Sequence, residues 1–182
     1  MVYMAMLTSI VCALGFAPSV PNPLNPTVPI TAQTLGVMLA GGLLGAKRGA
    51  GSMLVFLAIV AVGAPVLSGG RGGLSAFVAP TAGYLWSFPL SALMIGFFTE
   101  RFWNNLTFLK AILINVCGGI ILVYAIGSPV LSFVTEMDIR AAFLSNVAYL
   151  PGDFMKAVIA AYIAVKMKRM KPIIEQDKTF IA

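Results

Sequence analysis

Two opposite charges lie three residues apart near the C-terminal end of an otherwise apolar chain. The segment PGDFMK, from Pro151 to Lys156, carries Asp153 and Lys156. A spacing of three places both side chains on one face of a helix. Each charge costs roughly 2.5–3.5 kcal/mol within a membrane helix, and such residues as a rule mark a functional site. The two side chains either form an ion pair that only neutralises their charges, or they belong to a ligand site. Both interpretations can be true if the ion pair opens when a ligand binds.

Other polar side chains are expected at the same membrane level as this pair. They are the amide of Gln33, the hydroxyl groups of Thr81 and Tyr84, and the guanidinium of Arg71 in a glycine-rich connection. Apolar walls could come from Phe77, Trp86 and Phe88. A mostly apolar cavity with a few placed polar groups is the composition of a small-molecule pocket.

Composition excludes several other kinds of chemistry. Histidine is absent, and the two cysteines, Cys12 and Cys117, lie inside apolar runs. These facts exclude a Cys/His zinc site and a histidine-based triad, and they predict no cofactor and no metal. The sequence GxxxxGK[ST] does not occur, so any energy for transport must come from another chain or from an ion gradient.

The elements that must position these residues are membrane helices. The chain is 59% hydrophobic and 10% charged, whereas soluble domains carry roughly 25% charged residues. The net charge of +6 therefore indicates membrane topology and contact with the lipid bilayer, and not nucleic acid. We predict an all-α integral membrane protein whose single domain, residues 1–182, is one bundle of six transmembrane helices. The predicted helices are Tyr3–Ala17, Thr31–Ala46, Ala50–Leu67, Pro80–Phe98, Leu106–Gly127 and Gly152–Met170.

The sequences of two segments between the predicted helices also indicate their structure. Five prolines in PSVPNPLNPTVP, between the first two helices, exclude a helix there. The piece Asp138–Leu150 is too short to span a bilayer and is predicted to be an interfacial or re-entrant helix, broken from the last one by Pro151.

Basic residues predict the orientation. With the N-terminus inside, nine of them are cytoplasmic and two, Arg71 and Arg140, are external. This positive-inside bias predicts that both termini are cytoplasmic and that the pocket opens outward, in a multi-pass protein of the cytoplasmic membrane. The nine cytoplasmic residues are Lys47, Arg48, Arg101, Lys110, Lys166, Lys168, Arg169, Lys171 and Lys178.

The first helix carries small residues at intervals of four, which let another helix approach closely. We predict either an internal contact or a docking face for a partner subunit. The residues are Ala5, Ser9, Ala13 and Ala17.

Three motifs together resemble the BioY family, the biotin-specific S components of energy-coupling factor (ECF) transporters. They are PITAQTLGVMLAGGLLGAKRG (Pro29–Gly49), GGRGGLSAFVAPTAGYLWSFP (Gly69–Pro89) and PGDFMK (Pro151–Lys156). The resemblance implies a six-helix, non-enzymatic protein that captures biotin from outside with high affinity. It also implies partners: a transmembrane coupling subunit and two ATP-hydrolysing subunits.

The resemblance also assigns residues. It places Asp153, Lys156 and the stretch around Arg71 at the ligand, and the small-residue stripe at the coupling subunit. The flanking glycines match the family better than Arg71 does, so this arginine is open to two other interpretations, as an anchor for a lid or as a lipid contact. The alternatives for the whole chain are an S component for thiamine or riboflavin, an autonomous ion-coupled carrier, and an intramembrane enzyme.

Overall fold

The computed structural model of the chain describes residues 1–25 and 27–169, and within them it contains helices and no β-strand. Two isolated antiparallel bridges, Val20 with Ile30 and Leu67 with Arg71, occur in connections. The α-helices are α1 (Val2–Gly15), α2 (Gln33–Leu44), α3 (Ala46–Ala61), α4 (Ala82–Arg101), α5 (Phe108–Val116), α6 (Leu122–Thr135), α7 (Ile139–Ser145) and α8 (Leu150–Arg169). Lys171, Lys178 and the predicted helix end at Met170 lie outside the described residues.

Short irregular helices complete the chain. Three 3₁₀ helices cover Leu74–Phe77, Trp103–Asn105 and Asn146–Ala148. A π-helical turn, Cys117–Ile121, joins α5 to α6, so that Phe108–Thr135 is one continuous helix. The hydroxyl of Ser91 in α4 donates a 2.7 Å hydrogen bond to the carbonyl of Gly118 in this turn. That bond helps to satisfy the altered backbone pairing of a π turn inside the bundle.

Two predicted boundaries were wrong. The third helix was predicted as Ala50–Leu67, but α3 ends at Ala61 and begins directly after Gly45. Gly45 has φ +82°, a left-handed conformation that glycine adopts without strain, so a single residue separates α2 from α3. The fifth helix was predicted to end at Gly127, but the helix continues through Pro129 to Thr135. Proline is tolerated in membrane helices because neighbouring groups can satisfy the freed carbonyl.

The absence of a helix from the proline-rich connection and the break before the last helix are confirmed, whereas an interfacial or re-entrant position of the segment before α8 stays a prediction. The described residues between α1 and α2 contain no helix, and Val20 and Ile30 exchange backbone hydrogen bonds of 3.1 and 2.8 Å across this connection. The segment before α8 forms α7 and a 3₁₀ turn, and the chain then bends by 58° into α8. Pro151 is the second residue of α8, where its missing N–H group costs no helical hydrogen bond.

Two of the described helices are long and apolar enough to cross a membrane, Ala82–Arg101 and Phe108–Thr135. The bent pair Ile139–Ala148 and Leu150–Lys168 passes the same criterion if it counts as one span, and α1 and α2 are shorter apolar helices.

Helix α4 lies at the centre of the bundle and packs against α2, α3 and α6. Helix α8 packs against α2 and α5, whereas α1 covers α2 and α3. The side of α1 that faces the bundle buries Leu7, Thr8 and Val11, and the Thr8 hydroxyl donates to the Ser52 carbonyl at 2.9 Å. This arrangement brings the N-terminal ends of α2, α4 and α8 around one cavity.

Glycines in α2 allow this helix to pack closely against α1 and α4. A methyl group on Gly41 would lie 2.7 Å from the Ala92 carbonyl oxygen in α4, and one on Gly36 would lie 2.6 Å from a methyl group of Val11 in α1. Distances this short require the neighbouring backbone or side chain to move. At Gly42 the nearest atom would be the Ala164 methyl carbon at 3.6 Å, which is an ordinary contact.

Gly41→Ala is therefore expected to destabilise the protein by about 1–3 kcal/mol, because the added methyl group overpacks the α2–α4 contact. Gly42→Ala is the matched control and should be neutral or stabilising, since alanine favours a helix by roughly 1 kcal/mol over glycine. Thermal unfolding of the two variants in the same detergent measures the difference. Equal stability of the two variants would contradict the proposed packing.

Candidate ligand-binding site

One cavity collects most of the polar side chains that the sequence singled out. The cavity has a volume of about 80 Å³, whereas a cavity that holds a single water has a volume of roughly 10–15 Å³ on the same measure. It is therefore larger than a void left by imperfect packing, and it can hold a small organic molecule. The walls come from the connection before α2, the connection after α3, and helices α2, α4, α6 and α8. The lining residues are Val28, Pro29, Ile30, Thr31, Gln33, Thr34, Leu67, Ser68, Arg71, Thr81, Tyr84, Leu85, Phe88, Val123, Tyr124, Tyr149, Asp153 and Lys156.

Asp153 and Lys156 form an ion pair on the cavity wall, with Lys156 Nζ 2.7 Å from Asp153 Oδ1. Both lie in the first two turns of α8, where their spacing of three brings them together as predicted. Their side chains are 7% and 14% exposed, respectively. Removing one partner of a pair this buried strongly destabilises the folded protein, because the other charge is left buried without compensation. Each charge therefore stabilises the other in the bundle.

The hydrogen bonds of the pair reach α2 and α6. Lys156 Nζ donates to Thr31 O at 2.5 Å, to Thr34 Oγ1 at 3.1 Å and to Asp153 Oδ1. The other carboxylate oxygen, Asp153 Oδ2, accepts a 2.7 Å hydrogen bond from the Tyr124 hydroxyl. All three ammonium protons are therefore engaged. A ligand that bonds to this group must share or replace one of these partners.

A second set of polar side chains lies at the connection after α3, to which the first residue of α2 is hydrogen-bonded. Gln33 Nε2 donates to Val66 O at 3.1 Å, and Arg71 Nε donates to Ser68 O at 3.2 Å. Ser68 is buried, and its hydroxyl finds no hydrogen-bond partner among the described residues. No hydrogen bond shown in the structure joins this group to Asp153 or Lys156.

Two tyrosines that line the cavity make hydrogen bonds between the bend before α8 and other parts of the cavity wall. The Tyr149 hydroxyl donates to Val28 O at 2.6 Å, which ties the proline-rich connection to this bend. The Tyr84 hydroxyl donates to Asn146 Oδ1 at 2.8 Å, and Asn146 Nδ2 donates to Ser128 Oγ in α6 at 2.6 Å. The cavity wall is thus cross-linked by buried hydrogen bonds and is largely preformed.

Six of the predicted site residues line the cavity, and two do not. Gln33, Arg71, Thr81, Tyr84, Asp153 and Lys156 line it. Trp86 is 51% exposed, because it lies two positions after Tyr84 and so on the opposite face of α4. Phe77 ends a 3₁₀ helix and packs partly buried against the main core. Phe88, one turn after Tyr84, does line the cavity, and whether any of these residues contacts a ligand stays a prediction.

The sequence analysis missed five polar lining residues. They are Thr31, Thr34, Ser68, Tyr124 and Tyr149. Tyr124 carried a usable signal, since it is a phenol inside a predicted membrane helix. Ser68 and Tyr149 carried none, because their positions depend on how connections fold back over the bundle.

The small-residue stripe lies on the outer face of α1. Ala5, Ser9 and Ala13 are exposed, while Ala17 follows the end of the helix at Gly15 and is half-buried. Within the described residues, the side chains of this outer face contact no other helix of the bundle closely enough to be buried. The interpretation of the stripe as an internal contact is therefore wrong for Ala5, Ser9 and Ala13.

The described residues form an all-helical protein of membrane type around a preformed cavity. Comparison with known proteins identifies the particular class. Residues 1–173 match the BioY family, and the chain belongs to that family. The family consists of transport proteins, so the intramembrane-enzyme alternative is wrong.

Relatives and a solved structure agree with this assignment. The chain is 42% identical over 167 residues to the probable biotin transporter BioY of Bacillus subtilis, covering 92% of this chain and 89% of the relative. It is 43% identical over 168 residues to the biotin transporter BioY of Rhizobium etli, covering 90% and 89%. Its fold is similar to a crystal structure of the S-component for biotin from an ECF-type ABC transporter, with a TM-score of 0.88 and 33% identity over 94% of this chain and 92% of that one.

Proposed function

We propose that this chain is the biotin-capturing S component of an ECF-type transporter. The observation that carries the proposal is the preformed cavity around Asp153 and Lys156, in a chain whose relatives are biotin transporters along nearly their whole length. The chain catalyses no reaction. Its function is to bind the vitamin and to present it to the subunits that drive transport.

The cavity chemistry suits biotin. The ureido N–H groups of biotin need acceptors, and Asp153 is the carboxylate on the wall. The sulfur-containing ring needs apolar contacts, which Leu85, Phe88 and Val123 offer. One acid and two cations, Lys156 and Arg71, give the lining a net charge of +1, which favours a ligand with one carboxylate.

The choice of vitamin is tested by competition on membranes that contain the protein. Unlabelled biotin should displace labelled biotin, whereas thiamine and riboflavin should not. The cationic thiamine is disfavoured by the net positive lining. Displacement by either of these vitamins would move the assignment to an S component with another ligand.

We also propose six membrane spans with both termini in the cytoplasm, in the cytoplasmic membrane. Basic residues at the end of α4, in the first turn of α5 and near the end of α8 support this orientation: Arg101, Lys110, Lys166 and Lys168. The cavity lies at the other ends of these helices, where the connection after α3 carries Arg71. In this orientation the cavity faces the outside, where a captured vitamin must enter.

Cysteine labelling tests the orientation in a variant whose Cys12 and Cys117 are replaced by alanine. Ser75→Cys, in the exposed connection after α3, should react with a membrane-impermeant maleimide on intact cells. Lys47→Cys, exposed in the first turn of α3, should react only after the membrane is opened. The reverse pattern would show that the cavity faces the cytoplasm.

The proposed partners are a transmembrane coupling subunit and two ATP-hydrolysing subunits. The exposed stripe Ala5, Ser9 and Ala13 on α1 supports a docking face, because small residues let a second helix approach within close packing distance.

A further inference from the structure

The continuous helix Phe108–Thr135 departs from α-helical bonding at its π turn. Leu122 N donates to Cys117 O, five residues back, where a regular α-helix bonds four residues back. When the bonding returns to the four-residue pattern, one carbonyl, that of Gly118, is left without a partner in its own helix. Another helix supplies the missing donor, because Ser91 Oγ in α4 donates to Gly118 O at 2.7 Å. Ser91 is fully buried, so this bond is shielded from water.

The π turn changes the direction in which the side chains after it point. Asn115, before the turn, and Tyr124, after it, both bond to α8: Asn115 Nδ2 donates to Ala157 O at 3.4 Å, and the Tyr124 hydroxyl donates to Asp153 Oδ2 at 2.7 Å. Residues nine positions apart lie on opposite faces of a regular α-helix, which has 3.6 residues per turn. The π turn takes up one additional residue and brings the two positions to about 80° apart. In a regular helix that kept Asn115 against α8, Tyr124 would point away from the cavity.

Packing on two sides holds the π turn in the bundle. A methyl group on Gly118 would lie 2.5 Å from Ile95 Cγ1 in α4, and one on Gly119 would lie 2.5 Å from Met38 Cε in α2. Ile95 and Met38 are themselves fully buried. The two glycines therefore let α2 and α4 approach the turn closely, and Ser91 adds the polar contact that satisfies its free carbonyl.

We propose that Ser91 is a positioning residue for the ligand site, which holds the π turn and thereby directs Tyr124 towards Asp153. Ser91 does not line the cavity, so its effect on a ligand must pass through the register of the helix. Without the hydroxyl, the Gly118 carbonyl is buried without a donor, and a return to regular α-helical bonding relieves this cost. That return turns Tyr124 away from Asp153. The effect on the ligand rests on the proposed function, whereas the link from Ser91 to Tyr124 is a property of the unliganded bundle.

A double-mutant cycle on Ser91→Ala and Tyr124→Phe tests this inference by calorimetric titration with biotin. Each single variant should weaken biotin binding by about tenfold, because each removes the hydrogen bond that the Tyr124 hydroxyl makes to a charged carboxylate of the site. The double variant should bind within about threefold of the single variants, since both substitutions remove the same bond. Two residues that acted independently would multiply their effects to about a hundredfold loss.

Ser87→Ala is the matched control for the cycle. Ser87 is also a fully buried serine of α4 that does not line the cavity, but its hydroxyl donates to Tyr84 O within its own helix at 2.6 Å. The affinity of Ser87→Ala for biotin should stay within twofold of the parent value. If Ser91→Ala does not unfold cooperatively, Ser91→Cys takes its place in the cycle, because a thiol is a weaker donor of similar shape.

The same cycle, measured as shifts in the unfolding temperature of the unliganded protein, gives a readout that needs no ligand. The shift of the double variant should be smaller than the two single shifts combined. Additive shifts, multiplied losses of affinity, or an affinity of Ser91→Ala within twofold of the parent value would each overturn the inference. If the parent protein binds no biotin, the proposed function fails, and the thermal cycle alone decides whether Ser91 directs Tyr124.

Discussion

Asp153→Asn is expected to weaken biotin binding by about 100-fold or more in a protein that still folds. The substitution replaces an acceptor-only group with one that both donates and accepts, so a ligand N–H group loses a charged acceptor. It also leaves the Lys156 ammonium without its counter-charge at 2.7 Å. Losing a hydrogen bond to a charged group costs roughly 1.5–3 kcal/mol, and leaving the ligand N–H group buried without an acceptor adds roughly 1–3 kcal/mol, which together account for this factor. Calorimetric titration with biotin measures it.

Controls separate a binding defect from a folding defect. Asp138→Asn removes an exposed acid that does not line the cavity, and it should leave the affinity unchanged. The double variant Asp153→Asn, Lys156→Met removes the unpaired charge and should restore any thermal stability lost in the single variant. Biotin affinity within twofold of the parent value in Asp153→Asn would show that Asp153 is no ligand group.

Ala13→Trp is expected to abolish assembly with the coupling subunit and to leave biotin binding intact. Ala13 is exposed on the outer face of α1, and α1 contributes no residue to the cavity lining. An indole at this position prevents the close approach of a second helix, which small residues allow. We expect at least about a tenfold drop in co-purification with the coupling subunit, since overpacking costs roughly 1–3 kcal/mol.

Ala141→Trp is the matched control, because Ala141 is also an exposed helical alanine but lies on α7. It should co-purify with the coupling subunit as the parent protein does. Normal assembly of Ala13→Trp would contradict a docking role for the stripe. Loss of biotin binding in Ala13→Trp would show instead that α1 supports the cavity.

Local spacing made part of the site predictable. Asp153 and Lys156 are three residues apart, and the geometry of a helix brings them together whatever surrounds it. The same rule applied to α4 would have corrected an error. Thr81, Tyr84, Leu85 and Phe88 follow the spacing of one helix face and line the cavity, whereas Trp86 falls outside this pattern. The prediction had grouped these residues by their expected depth in the membrane, and depth alone could not distinguish the face of α4 that lines the cavity from the opposite face.

Other features depended on contacts between distant parts of the chain. The unpaired hydroxyl of Ser68 results from a turn that folds a connection over the cavity, and no pattern near Ser68 indicates it. The same is true of the bond from Tyr149 to Val28, which spans 121 positions in sequence. The continuation of the helix past Pro129 was missed because glycine and proline usually end helices in water, while neighbouring helices compensate for them within a membrane bundle.

The measurement that tests the central proposal most directly is calorimetric titration of the purified, detergent-solubilised protein with biotin. The proposal predicts tight binding of one biotin per chain, and no heat of binding with thiamine or riboflavin under the same conditions. A sample that unfolds cooperatively on heating, and is therefore folded, but binds no biotin would contradict the proposal.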